Sequence, residues 1–404
     1  MMQTQIDWLS TYTDDTPGVT RLLYSRSWCE ARSALMDWMT ALGMHVYEDA
    51  VGNVFGRVEG RSPEVILTGS HLDSVAHGGR FDGAAGVIAS ILSVARAAEN
   101  GTPDYTLEVV VFCEEEGSRF PYACLGSHYV AGNVGPDVLE KTVDADGISM
   151  EKARKTAGIT GHIEQNARTD IRRFMELHIE QGGILEHEGC AVGLVESIVG
   201  QRRMYIDVTG TANHAGTTPM DLRSDAMEAS ASMMSRMAAE ARRRGAPLTA
   251  TVGEMQVSPN TVNVIPGHVR FSLDFRHPEE EALASFQEWV EQTFSDTAAH
   301  YGASISFDVF MKEAPTPMDH VMTGELESFC QNEQLSCRRM HSGAGHDAQV
   351  LGRITATALL FVPSWEGISH SPEEYTEPEA LEAGLTLMTN ALISWAYTTK
   401  EVLT

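Results

Sequence analysis

Residues 64–74 read EVILTGSHLDS, an apolar and β-branched run that breaks at Gly69 and delivers His71 and Asp73. A run this short and this continuously apolar fits a strand buried on both faces, the kind found in α/β sheets. Residues 81–86, FDGAAG, open a stretch in which small and apolar residues recur at helical spacing until Asn100 and Gly101 stop them. LEVVVFCEEEG at 107–117 is a second apolar run, so the three segments form a strand, helix, strand unit. A third run, Ala358 to Val362, and a long helix from about Pro378 to Tyr397 return to the same character near the end of the chain.

Between about 200 and 312 the pattern changes. MYIDVTG predicts a strand, and a helix is expected from near Pro219 to Gly245, with Met227, Ala231, Met234, Ala238 and Ala241 as its apolar face. LTATVGEMQV predicts a strand, as does VRFSLDFR, where Val269, Phe271, Leu273 and Phe275 alternate with polar residues. A helix carrying Leu283, Phe286, Val290 and Phe294 on one face precedes the strand SISFDVF. The order β, α, β, β, α, β is that of a ferredoxin-like unit. We therefore expect an α/β domain with a central mixed sheet, formed by 1–199 and 313–404, and an inserted α+β domain at 200–312.

The chain has 404 residues, too many for one ordinary domain, with 29 Lys and Arg against 56 Asp and Glu. The formal charge of -27 argues against nucleic acid and anionic membrane surfaces as partners. The opening MMQTQIDWLSTYTDD has no signal-like pattern and no run is long enough to span a bilayer, so a cytoplasmic location is expected. Six scattered cysteines without a CxxC pair fit reduced, packed thiols.

Each apolar strand ends in, or closely precedes, a potential metal ligand: His71 and Asp73 after the first, Glu114 to Glu116 after the second, His370 after the third. Ligands of open α/β sheets gather at the carboxyl ends of strands, and His178 in FMELHIEQGG is one more candidate. Taken singly, an HxD pair is weak, three consecutive Glu are ordinary solvated surface, and a lone His is ordinary core or loop. Their shared position at strand ends outweighs those readings. The mixed N and O donors suit zinc, manganese or cobalt and not calcium. Two ions need a carboxylate between them, and Asp82 is the natural bridge, with His71 and His178 on one ion and Glu116 and His370 on the other. Asp73 is expected to accept the second imidazole N–H of His71. Adjacent carboxylates on an extended segment point to opposite sides, which leaves one of Glu115 and Glu116 to act as general base.

The motifs GSHLDS, FDGAAG, EEEGSRFP, ELHIEQG, NHAGTTPM, NTVNVIPG, SGAGHDA and GISHSPEE, in this order over nearly the whole chain, resemble those of the dinuclear-metal amidohydrolases of the hydantoinase/carbamoylase family. The resemblance implies two divalent ions held by His71, Asp82, Glu116, His178 and His370, with Glu115 as catalytic base. It implies that the inserted domain is a lid and homodimerisation domain, with His214 reaching the partner subunit's site to stabilise the oxyanion. Asn263 and Arg276 would bind the substrate carboxylate, and Gln181, Gly345 and His346 would line the pocket. The implied reaction is hydrolysis of a ureido C–N bond beside a carboxylate in a small molecule. Allantoate, in purine nitrogen salvage, is the expected substrate and an N-carbamoyl-L-amino acid the alternative. Trp365 and Glu366, beside His370, are where substrate fit is expected to vary.

Overall fold

The computed structural model describes residues 2–397. Its contacts divide the chain into a unit of residues 1–196 with 318–404 and a unit of residues 197–317. Among the described residues no helix is long and apolar enough to cross a membrane.

The larger unit is built on a mixed sheet. At its centre, strand Ser62–His71 runs parallel to both Tyr105–Phe112 and Ile171–Ile179, and the last of these runs parallel to Ala356–Val362. Antiparallel strands flank them: Val54–Val58 on Tyr105–Phe112, and Val192–Ile198 on Ala356–Val362. The four central strands are buried along most of their length, which explains their unbroken apolar character. Helix Ala84–Ala98 packs against this sheet and beside helix Pro378–Ala396, which also contacts the sheet. It is buried on nearly every side, which its small and apolar composition permits. Gly83 precedes it at φ 62, and a Cβ there would stand 2.5 Å from the main-chain oxygen of His71. Only glycine lets the helix start so close to that strand end.

Parallel register brings the strand ends level. His71 pairs with Phe112, and Phe361 pairs with His178. Thus His71, the Glu114–Glu116 loop, His178 and the loop leading to His370 all leave the sheet at one edge.

The smaller unit has strand order Met255–Ser258, His268–His277, Gly200–Thr209, Ser304–Glu313, with Thr249–Thr251 also on His268–His277. This is the antiparallel ferredoxin-like arrangement. Val269, Phe271, Leu273 and Phe275 face its core with Leu283, Phe286, Val290 and Phe294. Two local expectations are corrected. LTATVGEMQV forms two short strands separated by Val252–Glu254. The first helix begins at Ala226, capped by Asp225 accepting from Met227 N and Glu228 N, while Pro219 leads only a 3-10 turn. Its buried face is Ala226, Ala229, Met233 and Met237; of the expected stripe, Met234 and Ala241 are half-buried against the same core, whereas Met227 and Ala231 are exposed. With Ala and Met on several sides, two stripes about 100° apart have the same spacing, and only the tertiary contacts choose between them.

Candidate metal centre

His71 and His178 are both 1% exposed, with Nε2 atoms 3.4 Å apart. The Nδ1 of His71 lies 3.0 Å from the main-chain oxygen of Asp73, and that of His178 lies 2.9 Å from the main-chain oxygen of Ile179. A carbonyl only accepts, so Nδ1 carries the hydrogen in both rings and the neutral rings turn their Nε2 lone pairs toward each other. Asp82 Oδ1 approaches the same point, 3.4 Å from His71 Nε2 and 3.1 Å from His178 Nε2. Three acceptors meeting in a buried site require positive charge there, supplied by protons or by a metal ion.

The other Asp82 oxygen faces a second group. Oδ2 is 3.2 Å from His370 Nε2, which is 3.5 Å from Glu116 Oε1. That Glu116 oxygen is buried and has no hydrogen-bond donor. Two donor sets, His71, Asp82, His178 and Asp82, Glu116, His370, thus have ligand atoms within 4.8 Å of one another and share one carboxylate. The orphaned oxygen and the N and O donors fit divalent cations of the zinc, manganese or cobalt kind.

Electrostatics point the same way. Burial works against charge on His71, but the hydrogen bond to Asp82 and the charges of Glu115 and Asp73 hold its pKa well above the usual imidazole value. Burial opposes ionisation of Asp82, yet bonds from His178, His370 and His71 bring its pKa well below the carboxylate range. Glu116 is pushed up to about 7, by burial first and then by Asp82. Burial, reinforced by Glu116 and Asp347, raises Glu115 well above its ordinary value.

Asp73 and the glutamates depart from expectation. The main-chain carbonyl of Asp73 holds His71, while its carboxylate accepts from the amides of Glu115 and Glu116, each at 3.0 Å. The chain is not extended at the glutamates. Glu114 takes a left-handed turn at φ 50 after the strand ends at Phe112, and one Oε1 of Glu114 accepts from the amides of Arg119 and Phe120. The turn aims Glu115 and Glu116 at one centre, where both have ligand atoms within 4.8 Å of His71 Nε2 or Nδ1. A pleat would have sent them to opposite sides.

Gln181, at φ 57, donates from Nε2 to Asp82 Oδ2 at 2.9 Å. Gly345 is half-buried, but His346 is 1% exposed, its ring centroid 4.5 Å from that of His178 with the planes tilted by 60°, and its Nε2 3.0 Å from Ser342 Oγ. His346 therefore props His178 and does not line an open surface. Trp365 is exposed and Glu366 N donates to Glu186 Oε2 at 2.7 Å. In the smaller unit, His214 and Asn263 are exposed on neighbouring segments, Asn263 O accepting from Ala215 N. His214 Nδ1 accepts from Gly216 N at 3.0 Å, which leaves Nε2 to carry the donor hydrogen of the neutral ring. Arg276 donates to both oxygens of Asp274, at 3.0 and 3.1 Å.

Sequence reasoning missed three buried carboxylates. Glu176 accepts from Ser70 Oγ and Ala348 N, both at 2.8 Å, and so ties two strands to the start of helix Asp347–Leu351. Asp347 accepts from Ser127 Oγ at 2.5 Å, and Glu374 accepts from the amides of Phe81 and Asp82. Only Glu176 carried a readable signal: on a strand it shares a face with His178, two residues on.

The chain also matches known proteins. Residues 67–394 fit the sequence pattern described as Peptidase family M20/M25/M40. An Escherichia coli protein named allantoate amidohydrolase is 40% identical over 97% of this chain and 97% of its own. A Paenarthrobacter aurescens protein named N-carbamoyl-L-amino-acid amidohydrolase is 39% identical over 95% of this chain and 94% of its own. The crystal structure of a hydantoinase/carbamoylase family amidase from Burkholderia multivorans superposes with TM-score 0.93 at 33% identity, covering 98% of this chain and 97% of its own.

Proposed function

The chain belongs to the M20/M25/M40 family and is a hydrolase of C–N bonds, and from that premise we propose that it converts allantoate to ureidoglycine, releasing ammonia and carbon dioxide. The observation that carries the reading is the division of Asp82 between two donor sets with Glu115 beside them. His71 and His178 would hold one divalent ion and Glu116 and His370 another, with Asp82 serving both. Zinc, manganese and cobalt all suit these donors. When bound, such ions polarise a ureido carbonyl and make water acidic enough to attack it at neutral pH.

The side chains do the remaining work. Glu115, with 11% of its side chain exposed and not needed in either donor set around Asp82, would take the proton of the attacking water and return it to the leaving nitrogen. Asp73 fixes the main chain on which Glu115 sits. The partner subunit's His214 would donate its Nε2 hydrogen to the developing oxyanion. Asn263 and Arg276 would bind the substrate carboxylate. Arg276 is already held in one orientation by Asp274, which lowers the entropy cost of a two-pronged contact. Gln181 would contact substrate beside Asp82, and Gly345 would lend its exposed backbone. The inserted unit is read as lid and dimerisation domain. Its edge strand Ser304–Glu313, with Val309 and Phe310 exposed, supports pairing with a second copy.

The similarity to the Paenarthrobacter protein favours one alternative substrate class, N-carbamoyl-L-amino acids. Ammonia release from metal-reconstituted protein, with allantoate and N-carbamoyl-L-amino acids offered side by side, separates the two. Faster release from allantoate is expected. Preference for a carbamoyl amino acid would change the substrate and keep the chemistry, and no release from any ureido acid would refute the reading.

A further inference from the structure

Glu374 lies far from Asp82 in sequence, yet its carboxylate, 3% exposed, joins two segments of the metal centre. Its Oε1 accepts from Phe81 N at 2.9 Å and Asp82 N at 3.0 Å. Its Oε2 accepts from Ser369 Oγ at 2.8 Å, and that hydroxyl is also 3.4 Å from Asp82 Oδ2. Ser369 immediately precedes His370. Asp82 sits in a turn outside the sheet, so its buried amide depends on Glu374 for a partner. His370 is the least enclosed of the five expected ligands, with half its side chain exposed. We infer that Glu374 is a positioning residue that locks bridging Asp82 against the His370 loop and thereby sets how tightly the second ion is held.

The inference rests on the two-ion reading, but one feature is independent of it. Gly79 leaves the space that Glu374 occupies: a Cβ there would stand within the Glu374 carboxylate. The close approach needs glycine for lack of room, so Gly79→Ala should displace Glu374 while leaving every hydrogen-bonding group in place.

The test measures metal content of full-length protein, loaded with zinc or manganese and dialysed against graded free metal, beside amide exchange of Phe81 and Asp82 in the metal-free protein. Glu374→Ala and Gly79→Ala are expected to lose one ion per chain at about 10- to 100-fold higher free metal than wild type, the usual size of such effects. Both should exchange the two amides faster. Glu374→Gln keeps an oxygen for both amides and is expected to retain both ions. Wild-type metal retention and amide protection in Glu374→Ala would overturn the proposal. So would loss in Glu374→Gln as large as in Glu374→Ala, because charge and not hydrogen-bond geometry would then be the cause. Gly79→Ala guards against Glu374→Ala simply failing to fold. Wild-type protein that never holds two ions would sink the two-ion reading, while amide exchange would still decide whether Glu374 fixes the Asp82 backbone.

Discussion

Three consecutive glutamates have three different surroundings, and the turn at Glu114 is what separates them. Glu115 faces the centre as the candidate base, so Glu115→Gln is expected to keep wild-type metal content while turnover falls about 10²- to 10⁴-fold. Turnover near wild type, measured by ammonia release, would remove Glu115 from that role. Glu114 is buried, with Oε1 bonded to two amides and Oε2 without a partner. Burial first, and the charge of Asp73 second, push it up to about 8. A carboxyl raised on folding contributes stability that is complete below its unfolded value of about 4.5 and is lost as pH rises through about 8. Glu114→Gln stays neutral, so its urea midpoint relative to wild type should rise between about pH 4.5 and about pH 8 and level off above that. A constant difference across that window would contradict a neutral Glu114. The sequence motifs already set Glu115 apart from Glu116, but the left-handed turn that aims both at one centre was not legible, because no neighbouring Gly or Asn announces it at position 114.

At the scale of elements, the strands that carry the site were the most readable part of the chain. Their apolar runs are continuous because both faces are covered, and their ends therefore marked where ligands could gather. The alternation in VRFSLDFR was equally clear, since one face of that sheet meets its helices and the other does not. Helix Ala226–Arg244 was less legible, and the correction is testable. Met233→Ala should cost about 2–5 kcal/mol of stability, as for other large-to-small core changes. Met227→Ala should stay within about 0.5 kcal/mol of wild type. Urea unfolding of the two variants decides between the stripes, and a larger loss at Met227 would restore the other face. The links among Glu176, Ala348, Glu374 and Phe81 were not legible because each joins segments far apart in sequence, and no periodicity records such pairs.

At the scale of the whole molecule, a chain of charge -27 concentrates imidazoles and carboxylates at one edge of its sheet, where cations can offset them. The proposed donor of the oxyanion contact, His214, lies in the other compact unit. His214→Ala should lower turnover by roughly 10²- to 10³-fold, the size of one lost oxyanion donor. If His214 serves the partner subunit's site, mixing it with Glu115→Gln protein should restore part of the activity, since one site in the mixed dimer then keeps both groups. No recovery despite proven subunit exchange would exclude the shared site. The proposed chemistry requires Asp82 to stand between two ions. Anomalous diffraction from crystals of metal-reconstituted protein measures this directly. Two peaks about 3.5 Å apart are expected, one against His71 and His178 and the other against Glu116 and His370, with Asp82 between them. A single peak at full loading, or peaks away from Asp82, would contradict it.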